Sequence, residues 1–186
     1  KNFEVTNVKK KVTKKAPAPP FITSTLQQEA SKRLSFQSKR TMKTAQELYE
    51  GIEIKGMGAV GLITYMRTDS LRISDEARNS AKTYIEAKFG EKYIPDKPRV
   101  FKSKSNAQDA HEGIRPTYIN IDPESIKGEL TPDQYKLYRL IYVRFIASQM
   151  KPAIYDTMAV NIKANEHDFK ANGQNLKFKG FMTLYV

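Results

Sequence analysis

A chain of 186 residues with 39% hydrophobic content can bury one medium core or two small ones. Its 32 Lys and Arg against 20 Asp and Glu leave a formal charge of +12, which favours a polyanionic partner through counterion release, nucleic acid first among them. With no cysteine, disulfides and thiolate metal sites are excluded, and a reducing cytoplasmic setting is expected. No apolar run approaches the roughly 20 residues of a membrane span, and no basic amphipathic helix suggests attachment, so no membrane partner is expected. The chain opens on Lys1 with no apolar leader, and is expected to be an excised piece of something longer.

Phe3, Val5 and Val8 begin a strand that runs into Lys9, Lys10, Lys11, Lys14 and Lys15. The following Ala16-Pro17-Ala18-Pro19-Pro20 must be extended, because each proline lacks a donor and restricts the residue before it, so a first domain boundary is placed there. The lysines fit either a solvated strand edge or a DNA backbone. Ser24 or Thr25, with Gln27 or Gln28 three residues on, reads as a capped helix start with Leu26, Ala30 and Leu34 on one face. Thr41 reads as the cap of a second helix carrying the stripe Met42, Ala45, Leu48 and Tyr49. Two helices joined by residues 35–40 and followed by a strand suggest a helix-turn-helix with a wing. Residues 50–60, with Gly51, Gly56 and Gly58, read as a flexible loop, and no phosphate-cradling nucleotide motif is present, so no nucleotide partner is expected.

The next stretch, Tyr65-Met66-Arg67-Thr68-Asp69-Ser70, follows Val60, Leu62 and Ile63 and reads as a strand. On a strand Tyr65, Arg67 and Asp69 share a face, setting a phenol, a guanidinium and a carboxylate side by side. Such a trio suits a nucleophile, a phosphate clamp and a group that orients the clamp; it equally suits a half-exposed strand with one salt bridge. Ser74 opens a helix with Ala77, Ala81, Tyr84, Ile85 and Phe89 on its buried face, ending at Gly90. Residues 91–105 read as a basic surface loop. Residues 107–114 read as a short helix stopped by Pro116, with His111 and Arg115 on one face. A zinc site of the protease type would need a second histidine where Arg115 stands, so no metal ligands are assigned. Thr131-Pro132-Asp133-Gln134 starts a helix striped by Leu137, Leu140, Ile141, Phe145 and Ser148. Residues 155–186 alternate as a β-meander with turns at 165–167 and Asn172-Gly173.

The string Tyr65-Met66-Arg67-Thr68-Asp69-Ser70, followed by His111-Glu112-Gly113-Ile114-Arg115-Pro116-Thr117, resembles the active-site region of type IA DNA topoisomerases, closest to the bacterial topoisomerase I group. The likeness extends from Pro20 to Asp156. It implies an α+β fold in which a helical, winged-helix-like domain similar to the catabolite-activator fold (17–152) is inserted into a β-rich arch (1–16 and 153–186). It also implies a fragment of an isomerase that cleaves and reseals one DNA strand through a 5′-phosphotyrosine to relax negative supercoils. The implied catalytic residues are Tyr65, Arg67 and His111, and the implied DNA-binding residues are Arg67, Thr68, Asp69 and Arg115. An ordinary phenol is about one part in a thousand ionised at neutral pH, a handicap of about 4 kcal/mol that a neighbouring guanidinium such as Arg67 offsets in part.

Magnesium would be held by an acidic Toprim domain outside these residues, so the piece by itself is expected to be inactive. The expected partners are DNA, with single-stranded regions preferred, and the rest of the parent chain, in a nucleoid-associated cytoplasmic setting. Gly113 stands where bacterial relatives usually carry alanine, which would loosen a helix there by up to about 1 kcal/mol. The competing readings are a non-catalytic winged-helix DNA-binding module and a fragment of topoisomerase III or reverse gyrase.

Overall fold

Helix boundaries follow the chemistry of the helix starts. Helix α4 (Pro132–Ser148) opens on a reciprocal cap, in which the Gln134 N–H donates to the Thr131 hydroxyl at 3.2 Å and the Thr131 N–H donates to Gln134 Oε1 at 3.0 Å. Pro132 fits the first turn, where its missing N–H has no intrahelical acceptor to lose. From Leu137 onward α4 is enclosed on almost every side and forms the central rod of the core. Helix α3 (Asp75–Phe89) is capped by Ser74, whose hydroxyl accepts from the Ala77 N–H at 3.2 Å, and it buries Ala77, Ala81 and Ile85. The structure, a computed structural model, describes residues 2–102 and 111–186.

Helices α1 (Thr23–Leu34) and α2 (Ser38–Glu50) are joined by a tight turn through Ser35 at φ 57. Thr25 returns its hydroxyl to the Ile22 N–H at 3.0 Å, and helix α1 therefore begins slightly earlier than a cap at Ser24 or Thr25 would allow. Thr41 does not cap α2. It lies one turn inside the helix, fully buried, with no hydrogen bond to its hydroxyl among the described residues. Residues 50–60 are not a loose loop but a hairpin of β2 (Ile52–Ile54) and β3 (Gly58–Val60). Gly56 and Gly58, at φ 82 and 74, supply the positive dihedrals that its short turn demands.

Strand β1 (Glu4–Lys15) pairs antiparallel with β4 (Ala153–Ala164), which pairs with β5 (His167–Phe178). Residues 4–15 thus meet residues 153–178 in one three-stranded sheet, with Val8 opposite Val160 and Lys10 opposite Met158, and beyond β5 the chain leaves the sheet for a 3-10 turn at Gly180–Thr183 instead of continuing the expected meander to 186. Asn172-Gly173 is not a turn: Gly173 pairs with Met158 inside β5, and the reversal occurs at Asn165, φ 56. The long strands are largely exposed, and the apolar core lies among α1 to α4 and the segments that bear the two motifs. No described helix is long and apolar enough to cross a membrane.

Candidate active site

Two motifs some 50 residues apart are stitched side by side. Thr64 N–H donates to the Arg115 carbonyl at 2.9 Å, Thr117 N–H to the Leu62 carbonyl at 3.0 Å, and Ile63 bridges Pro116. The Thr64 hydroxyl donates to the Gly113 carbonyl at 2.8 Å and accepts from the Arg115 N–H at 3.0 Å. On the other edge the Ile114 N–H donates to the Phe21 carbonyl at 2.8 Å. Residues 111–114 are therefore extended rather than helical, and 107–110 of the expected helix lie outside the described residues. His111 and Arg115 do not share a helix face.

The Tyr65 segment likewise has only the Ile63 bridge in place of a regular strand, yet its alternation holds: Met66 and Ser70 are buried while Tyr65, Arg67 and Asp69 are exposed. Extended backbone is enough to alternate side chains, whether or not a ladder forms. What holds the segment is Thr23, in the first turn of α1. Its hydroxyl donates to the carbonyls of Met66 at 2.7 Å and Thr68 at 3.1 Å and accepts from the Thr68 N–H at 2.9 Å. Its N–H also donates to the Thr68 carbonyl at 3.0 Å. At the near end the Leu62 N–H donates to the Leu48 carbonyl at 2.8 Å. A Cβ on Gly61 would stand 2.8 Å from the Tyr49 carbonyl, so this approach requires glycine.

The ring of Tyr65 lies 6.1 Å from that of His111, centroid to centroid, so two of the three expected catalytic residues stand together. Arg67 projects from the same exposed edge with no hydrogen bond or ion pair among the described residues, and neither does Asp69 have one. Asp69 therefore does not orient Arg67 here, as a shared strand face had suggested.

The sequence profile described as DNA topoisomerase matches residues 1–186. The chain belongs to the type IA DNA topoisomerase family. A solved structure of full-length topoisomerase I from Thermotoga maritima is similar at 42% identity and a TM-score of 0.86, over 98% of this chain. The match covers 29% of that enzyme, so this chain spans less than a third of its length.

Within this topoisomerase-family chain Arg115 is engaged rather than free. Its guanidinium holds Glu112 through two donations, 2.8 Å to Oε2 and 3.3 Å to Oε1, and also donates to the Pro116 carbonyl at 3.1 Å. Glu112 Oε1 accepts in addition from the Ser74 N–H at 2.6 Å. Burial works against the Glu112 charge, but the Arg115 hydrogen bond, the Ser74 amide and the positive charges of Arg115 and Arg72 outweigh it and hold the carboxyl below its ordinary range. Thr68 presents its hydroxyl to the Ser70 N–H at 3.1 Å.

Two residues at the site carry no role in the sequence analysis. Glu112 stands there only as part of the His111 motif, although its spacing of three before Arg115 is an ion-pair signal. The periodicity of α2 places Tyr49 on the core stripe, yet it is 41% exposed with its ring 5.3 Å from that of Tyr65, a contact that no local pattern announces. Among the described residues no three His, Asp or Glu side chains cluster to hold a metal ion, and Glu112 is committed to Arg115. These residues do not fit as holders of magnesium.

Proposed function

We propose that this chain is the tyrosine-bearing part of a DNA topoisomerase I that cleaves and reseals one strand of DNA. The observation that carries this reading is the exposed Tyr65 beside His111, with the uncommitted guanidinium of Arg67 two residues on. The Tyr65 oxygen attacks a backbone phosphorus, and the phenol gives up its proton. The new O–P bond forms as the P–O3′ bond breaks, and the 3′-oxygen takes up a proton, leaving a 5′-phosphotyrosine and a free 3′-hydroxyl. Resealing is the reverse, so the bond energy is conserved in the ester and no nucleotide is consumed.

Arg67 holds the non-bridging phosphate oxygens, while His111 donates to the phosphate. Asp69, Thr68 and Arg115 line the strand's path, with Arg115 kept in place by Glu112 until a phosphate competes for it. The helix pair α1–α2 followed by the β2–β3 hairpin supports a winged arrangement, and the shared sheet of β1, β4 and β5 supports a split arch of 1–16 and 153–186 around 17–152. Single-stranded DNA is the preferred substrate, and any magnesium would be held by a Toprim domain of the parent enzyme and not by the described residues of this chain.

Tyr65→Phe in the full-length enzyme removes one oxygen and no charge. It should abolish the covalent adduct on end-labelled oligonucleotide while DNA affinity stays within about twofold of the parent. An adduct that survives in the Phe variant overturns the nucleophile assignment. The 186-residue chain alone should bind DNA weakly and fail to relax plasmid, because acid–base help worth about 10²–10⁴-fold and electrostatic help worth about 10²–10³-fold would come from the rest of the enzyme.

A further inference from the structure

We infer that Tyr49 is a positioning residue for the Tyr65 phenol, an inference that rests on Tyr65 being the nucleophile. Tyr65 is 37% exposed, and no hydrogen bond to its hydroxyl is found among the described residues. A phenol in that situation rotates among several staggered positions, and only one of them can aim its oxygen in line with a phosphate. Two rings restrict it. That of Tyr49 packs at 5.3 Å with a 59° tilt and that of His111 at 6.1 Å with a 38° tilt, both within the range of favourable aromatic pairs.

Tyr49 is suited to this task because its own backbone is fixed to the segment it restrains. It lies in the last turn of α2, directly after the fully buried Leu48, whose carbonyl accepts from the Leu62 N–H at 2.8 Å. The Tyr49 carbonyl itself rests against Gly61, where a side chain would not fit. The β2–β3 hairpin separates the two tyrosines in sequence, but these contacts tie the end of α2 directly to the start of the Tyr65 segment. The Tyr49 hydroxyl has no hydrogen bond among the described residues, so the contribution is that of the ring. With the ring 41% exposed, the core does not depend on it, which explains its place better than packing does.

The test uses the full-length enzyme and a fluorescent single-stranded oligonucleotide, measuring the single-turnover rate of adduct formation and, separately, the dissociation constant by anisotropy. Tyr49→Ala should slow adduct formation about 10- to 100-fold, the scale of an ångström-sized misplacement, with the dissociation constant changed by less than about twofold. Tyr49→Phe should recover most of the lost rate. Tyr49→Leu, which keeps bulk against α2 without an aromatic face, should resemble Tyr49→Ala and carries the test if the alanine variant unfolds. An unchanged rate in Ala and Leu overturns the inference, as does a rate loss matched by weaker binding, which would make the ring a DNA contact. A Phe variant as slow as Ala would assign the effect to the hydroxyl and overturn it too. Tyr65→Phe run alongside separates the two claims: if it loses the adduct while Tyr49→Leu keeps full speed, only the positioning role falls.

Discussion

The hydroxyl of Thr23 holds Met66 and Thr68, the residues on either side of Arg67, and Thr23→Val removes it while keeping the side-chain shape. One donation shared between Met66 O and Thr68 O disappears, and the half-buried Thr68 N–H loses its acceptor. A lost donation is worth about 1 kcal/mol and an unpaired, partly buried amide about 1–2 kcal/mol more, giving a destabilisation of about 2–3 kcal/mol. For a chain of this size, each kcal/mol lowers the midpoint by about 2–4 °C, so thermal unfolding by circular dichroism should fall by about 4–12 °C. The backbone bond from Thr23 N–H to Thr68 O remains, so the segment loosens rather than detaches. In the full-length enzyme the same change should slow adduct formation, since Met66 and Thr68 flank Arg67. A midpoint within about 1 °C of the parent would refute the view that this hydroxyl anchors the motif.

Gly113→Ala should be neutral or stabilising by up to about 1 kcal/mol in urea unfolding. Gly113 lacks a positive φ, and an added Cβ would stand at ordinary distances of 3.4 Å from Pro20 Cβ and the Ser70 carbonyl oxygen and 3.5 Å from Ile73 Cδ1. Gly180→Ala should cost more than about 2 kcal/mol in the same assay, because φ is +52 and the Cβ would fall 2.4 Å from the Pro152 carbonyl oxygen. Glu112 has its pKa lowered by folding, so its contribution to stability is complete above its ordinary value of 4.5 and is lost as pH falls through the lower folded value. Glu112→Gln should therefore flatten the fall of the unfolding midpoint below about pH 4.5, and a slope equal to that of the parent would show that the Arg115 pair does not matter to folding.

Much of this molecule is written in local signals. The Thr131–Gln134 cap and the Ala77, Ala81, Ile85 stripe depend on residues within one or two turns of each other, so α4 and α3 are readable without tertiary knowledge. The outward set of Tyr65, Arg67 and Asp69 was also readable, because any extended backbone points alternate residues the same way. Where the reading failed, the deciding partner lies far along the chain. Residues 111–114 gave up a helix for an extended path because Phe21 and Thr64 supply their hydrogen bonds, and Thr41 lost a capping role to a buried one because the core closes over it. Asn172-Gly173 resembles a hairpin turn but is held straight by Met158 and Ala159 on β4.

At the site itself the family resemblance implied Tyr65, Arg67 and His111 as a group, while only the tertiary structure brought the Tyr65 and His111 rings together, paired Arg115 with Glu112 and set Tyr49 against Tyr65. The physical reason is the same throughout. Propensity, capping and alternation act over a few residues, whereas the contacts that aim a side chain at this site span 43 and 45 positions at Thr23 and 49 at Thr64, distances over which only the closed core decides which groups meet.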